Sequence, residues 1–172
     1  MVGLIGLIWI VEIFNLSLGH RLGAYGIIPR DPDGLRGIIF APFLHGSLQH
    51  AIANTVPLAV LGFFVVMRGT KDLLFSSLMI VVVGGGGVWL IGRPAYHIGA
   101  SILVFGYFGF LVARGWYERS FGAIIISAIV LLLYGGMIWG MLPSIPHVSW
   151  EGHLCGCIGG VLGARLIARK KI

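Results

Sequence analysis

The run His97-Ile98-Gly99-Ala100-Ser101-Ile102-Leu103-Val104-Phe105 sets one hydroxyl about three residues inside an apolar segment that continues to Ala113. A second polar side chain, His153, stands at a similar depth in the run that begins at Trp150. Polar groups at membrane depth are costly, and those retained there face a bundle interior or a cavity. If both runs are helices crossing a bilayer in the same direction, a nucleophile and its base meet inside a membrane. That condition decides the fold.

Composition satisfies the first half of it. Of 172 residues, 58% are hydrophobic and only 10% charged, and the mean hydropathy is +0.98. A soluble domain of this length needs a far more polar surface, so the chain is expected to be an all-α, polytopic membrane protein, a single domain over residues 1–172. The net charge of +6 points away from nucleic acid, because the basic residues cluster at the ends of apolar runs and so report membrane orientation. No basic stretch precedes the first apolar run and no small-residue cleavage site follows it before His20-Arg21, so that run is expected to be a retained span. Cys155 and Cys157, two apart on a helix, point to different faces and are expected to be small packing residues.

Six spans are predicted, over about 2–18, 45–67, 72–91, 98–113, 120–142 and 150–168. Each approaches the ~20 residues that a hydrocarbon core of ~30 Å requires. The fourth, at 16 residues, covers only about 24 Å at ~1.5 Å per residue, and is expected to be a short central helix shielded by its neighbours. Arg68, Lys71, Arg114, Arg119, Arg165, Arg169, Lys170 and Lys171 flank one side, against Arg21, Arg30, Arg36 and Arg93 on the other. The richer side is predicted cytoplasmic, with both termini there, so the second, fourth and sixth spans run inward together.

Between the spans, Pro29-Arg30-Asp31-Pro32-Asp33-Gly34 is turn chemistry too polar for lipid, whereas Leu35 to Leu44 is apolar again and expected at the interface. Leu142-Pro143-Ser144-Ile145-Pro146-His147-Val148 is proline-broken and expected to act as a flexible cover. Gly84 to Gly87 weakens the third helix but permits close helix contact. Glu12 and Asn15 are expected to make a buried hydrogen bond, or Glu12 to be protonated.

Depth can be measured from the inner charges. Asn54 lies 14 residues before Arg68, Ser101 13 before Arg114, and His153 12 before Arg165. At ~1.5 Å per residue all three sit roughly 18–21 Å from the inner boundary, in the half that water reaches from outside. His50 stands one turn above Asn54 on the same face. These types allow acyl transfer: a serine activated by a neutral histidine, which then returns the proton to the leaving amine. The Asn54 amide, a His50 N–H and the Ser101 backbone N–H are candidate oxyanion donors. No carboxylate is placed to orient His153, since Glu151 falls on another helical face, so a dyad is expected. Each residue alone has a plainer reading. A membrane serine bonds back to its own i−4 carbonyl, and His50, Asn54 or His153 alone would be an interhelical polar contact. A haem or metal protein using His45, His50, His97 and His153 is a further alternative, although no carboxylate or thiolate ligand accompanies them.

The same residues resemble the rhomboid intramembrane serine proteases. His45-Gly46-Ser47-Leu48-Gln49-His50-Ala51-Ile52-Ala53-Asn54 is similar to that family's H-x-x-x-x-H-x-x-x-N pattern. Gly99-Ala100-Ser101 resembles its G-x-S-G motif, and Gly152-His153-Leu154-Cys155-Gly156, with Gly160 beyond, resembles its A-H-x-x-G-x-x-x-G helix. The resemblance covers nearly the whole chain and implies a six-helix, minimal bacterial-type bundle in the cell membrane. It implies Ser101 as nucleophile, His153 as base and acid, and His50 and Asn54 at the oxyanion. Gly99 and Gly156 would support the site, and Phe105 would pack against the histidine. The fifth span and the loop after it would gate entry of transmembrane protein substrates, with no metal or cofactor needed. Two departures stand out. Ile102 replaces the motif's second glycine and Gly152 its alanine. The first favours an alternative, a catalytically inactive relative that binds client transmembrane helices.

Overall fold

The computed structural model describes residues 1–143, 146 and 148–169. Among the described residues, six long helices follow the predicted segments in order: α1 (Val2–Ser17), α2 (Leu48–Val66), α3 (Thr70–Ile91), α4 (Ser101–Glu118), α5 (Phe121–Met141) and α6 (Trp150–Arg169). Among the described residues there is no strand, only an isolated antiparallel bridge between Ile27 and His97. α2, α3 and α5 are long and apolar enough to cross a bilayer, and α1 is apolar but shorter, at 16 residues. With them the chain is an integral membrane protein. α5 leaves Leu132 and Leu133 84% and 63% exposed, an arrangement that lipid tolerates and water does not.

α4 departs from its predicted bounds at both ends. It begins at Ser101 because Gly99 takes φ +121, outside helical space. It runs on to Glu118 because Arg114, the charge expected to end it, is buried and hydrogen-bonded to the Glu118 carboxylate one turn later. The helix therefore has 18 residues, close to the 19 of α2, and its burial comes from position rather than brevity.

That position is a seam against α6. A side chain at Gly160 would collide with the Gly106 carbonyl oxygen, and one at Gly156 with the carbonyl of Ile102, so the two backbones touch where only glycine fits. α3 reaches the same seam through a π-helical turn at Ile80–Gly84. There the Ile102 side chain lies against Gly84 and Gly156, filling space that two absent side chains leave. The close contact expected of Gly84 to Gly87 is present, with Gly87 against the Cys155 sulfur. Both cysteines are free, and Cys157 packs against Gly109.

The loop between α1 and α2 is held down rather than loose. Asp31 caps a 3-10 turn at Pro32–Arg36 by accepting from Asp33 N at 2.8 Å, as the turn chemistry predicts. Trp89 Nε1 donates to the Asp31 carbonyl, and the Arg30 guanidinium donates to the carbonyls of Leu90 and Gly92. Ile39 and Phe40 stay exposed, in keeping with an interfacial segment. At the other end of the bundle, Arg68 and Arg114 share the Glu118 carboxylate, and Asp72 lies 3.8 Å from Arg114. The end of α2, the start of α3 and the end of α4 thus lie together, as the predicted antiparallel order requires. Of the basic residues predicted to face the cytoplasm, Lys170 and Lys171 lie outside the described residues, as do Ser144, Ile145 and His147 of the proline-broken loop.

Candidate functional site

Ser101 opens α4, and its position at the helix start, rather than a turn inside, follows from the Gly99 turn. The turn is held from three directions. Gly99 N donates to the Ala41 carbonyl at 2.9 Å. A side chain at Gly99 would stand 2.8 Å from the His50 ring. Ala100 N donates to His45 Nε2 at 3.2 Å.

His50 and Asn54 occupy the first two turns of α2, which starts at Leu48 because Ser47 caps it through His50 N at 3.1 Å. His153 lies in the first turn of α6. Ser101, His153, His50, Asn54 and Phe105 all line one cavity of about 480 Å³, together with Tyr96, His97, Ile98 and Ser149. The residues that sequence depth grouped are therefore neighbours in space. Ile102 does not line this cavity; it faces a small adjoining void.

The His153 ring is constrained on two sides. It stacks on Phe105 with centroids 3.8 Å apart and planes 8° from parallel. Its Nδ1 donates to the Gly140 carbonyl at 2.8 Å. A carbonyl only accepts, so Nδ1 carries the proton and, in the neutral ring, Nε2 is the bare nitrogen. The Gly140 carbonyl thereby fixes the orientation and tautomer of the ring, and Glu151 takes no part in that contact. Glu151 is buried and engaged elsewhere, accepting from Arg93 N at 3.2 Å. Asn54 Nδ2 donates to the His50 carbonyl at 3.2 Å, one turn back. Among the described residues, no hydrogen bond joins Ser101 to His153.

Two contributors went unrecognised in the sequence. Gly140 acts through its main chain, so no side-chain type marks it. The only trace is that a glycine lets Phe105 and His153 approach, its Cβ position being 3.0 Å from Phe105 Cζ. His45 stood in the motif without a role. It is wholly buried, its ring meets His50 edge-on at 5.0 Å, and its carbonyl accepts from Asn15 Nδ2 at 3.1 Å and His20 Nδ1 at 3.2 Å. Asn15 makes the buried bond expected of it. Glu12 does not: among the described residues neither carboxylate oxygen has a hydrogen-bond partner, and His20 Nδ1 stands 3.8 Å away. Among the described residues no group of three or more His, Cys, Asp or Glu side chains is placed to hold a metal ion, so His45, His50, His97 and His153 do not gather as one ligand set.

The model of the Rhomboid domain family matches residues 32–170. An uncharacterized protein of Mycobacterium tuberculosis is 41% identical over 173 residues, covering 95% of this chain and 72% of its own length. One from Mycobacterium leprae is 41% identical over 171 residues, covering 94% and 68%. A putative rhomboid protein of Acanthamoeba polyphaga mimivirus is 25% identical over 130 residues, covering 69% and 67%.

Proposed function

The chain belongs to the rhomboid family, and on that premise we propose that it is an intramembrane serine endopeptidase that cleaves transmembrane segments near their outer ends through a Ser101–His153 dyad. The observation that carries the reading is the cavity shared by Ser101 and a His153 ring held by Phe105 and the Gly140 carbonyl. Ser101 Oγ attacks the scissile carbonyl carbon while His153 Nε2 takes its proton. The oxyanion receives hydrogen bonds from the Asn54 amide, His50 and the Ser101 backbone N–H. His153 then protonates the leaving amine, and a water, deprotonated by the same nitrogen, releases the acyl product and restores the serine. His50 and Asn54 stand at the cavity wall, and a modest turn of Asn54 frees its amide from the His50 carbonyl.

The six long helices are read as six spans with both termini on the cytoplasmic side, so the cavity is wetted from outside. A substrate helix enters laterally and unwinds, because its scissile amide is otherwise held in its own hydrogen bonds. α5, the most lipid-exposed helix, and the cover after it form the gate. The inactive, client-binding alternative drew its support from Ile102, which packs into the glycine seam and leaves the cavity clear. A serine-directed fluorophosphonate is expected to label Ser101 in detergent-solubilised protein and to fail on Ser101→Ala and His153→Ala. Folded wild-type protein that takes no label would overturn the proposal.

A further inference from the structure

Four residues before Ser101 stands His97, and four residues before His153 stands Ser149. The two meet across the cavity mouth, with Ser149 Oγ 2.6 Å from His97 Nδ1. His97 Nε2 faces the Arg93 carbonyl at 3.0 Å and must donate to it. In the neutral ring Nδ1 is then an acceptor, and the Ser149 hydroxyl is the donor. A second contact runs parallel to the first. Arg93 N donates to Glu151 Oε1 at 3.2 Å, Arg93 Nε lies 3.5 Å from the same oxygen, and the guanidinium donates to the Val148 carbonyl. The His97 main chain also pairs in both directions with Ile27, at 3.0 and 2.9 Å, which anchors this side to the loop between α1 and α2.

We infer that the His97–Ser149 contact is a clasp between the segment leading into α4 and the segment leading into α6, and that it sets the separation of Ser101 and His153. His97 and Ser149 are then positioning residues of the hydrolysis. The inference rests on the endopeptidase reading. The reason is mechanical. No hydrogen bond joins the dyad among the described residues, so its gap is set by what crosses between the helices above and below. Below, the glycine seam at Gly156 holds the backbones together. Above, the clasp joins the two leading segments, and its residues stand four positions before each member of the dyad.

The test uses Ser149, which also caps α6 through Gly152 N at 3.2 Å. Glycine caps a helix nearly as well as serine but has no hydroxyl, so Ser149→Gly removes the clasp contact and spares the helix start. Ser149→Thr keeps both. Displacing a catalytic pair by about an ångström costs up to about 100-fold, so Ser149→Gly is expected to lower kcat about 10- to 100-fold with KM within about threefold. The substrate is a single-span helix carrying a fluorophore, in vesicles. The rate of Ser101 labelling by a fluorophosphonate should fall in parallel, and Ser149→Thr should restore both. If Ser149→Gly fails to fold, Ser149→Cys, a weak donor of similar size, serves in its place. A wild-type rate in the variant, a change confined to KM, or a loss that threonine does not restore would overturn the clasp alone. Wild-type protein that neither cleaves the reporter nor takes label at Ser101 would overturn the endopeptidase reading and the clasp with it.

Discussion

The half of the α4–α6 pair predicted to lie outward and the half predicted to lie inward are built on different rules. In the inner half, glycines bring backbones into contact, and the nearby charges of Arg68, Asp72, Arg114 and Glu118 are spent on one another. In the outer half the same helices border a polar cavity of about 480 Å³ beside their Gly156–Ile102 contact; there, among the described residues, Ser101 makes no hydrogen bond to His153 and the ring is steered by one carbonyl and one aromatic face. A membrane offers little hydrophobic drive between helices, so tight packing must come from small residues, and a wet site must be paid for by rigidity beside it. The inner half supplies rigidity and the outer half uses it.

Substitutions should therefore separate the two halves by readout. The largest effect is expected from His153→Ala, which removes the base and should lower turnover by about 10³-fold or more while leaving the unfolding temperature nearly unchanged. Single-turnover cleavage beside a melting curve checks both. Next is Gly160→Val, whose side chain meets the Gly106 carbonyl; it should destabilise the fold by about 3 kcal/mol, at the upper end for overpacking. Loss of folded protein on heating would show it, and a variant as stable as wild type would mean the seam is looser than described. Glu118→Gln leaves Arg68 and Arg114 without their shared anion. Because Arg68 is partly exposed, the cost should be only about 1–2 kcal/mol, with cleavage chemistry unaltered in the protein that remains folded. The smallest change is expected from Phe105→Leu, which keeps apolar bulk but loses the stacked ring, lowering kcat about tenfold. A drop in stability without a drop in kcat would place Phe105 with the inner half instead.

Much of this division was readable in the residues. The distances from Asn54, Ser101 and His153 to the basic residues that follow them gathered the cavity's members, because a helix converts residue count into depth at a constant rise. The glycines at Gly84 and Gly156 announced close contact. What escaped were features that depend on where a chain turns or on what a distant segment presents. α4 ran past Arg114 because an internal carboxylate satisfied the charge, and hydropathy reads every arginine as a boundary. Ile102, where the resembling motif has glycine, packs against Gly84 and Gly156 and does not line the cavity. Its direction depends on two glycines from other helices.

The sequence by itself determined the class of molecule, the approximate helices, and which polar side chains share a level, since all of these follow from local composition and the fixed geometry of a helix. Only the tertiary structure decided the protonated nitrogen of His153, the burial of His45 behind the Ser101 turn, and the partnership of His97 with Ser149. Each of these depends on a contact between segments far apart in the chain, and for His153 and Gly140 the deciding atom is a backbone carbonyl, which every residue carries and no sequence pattern distinguishes.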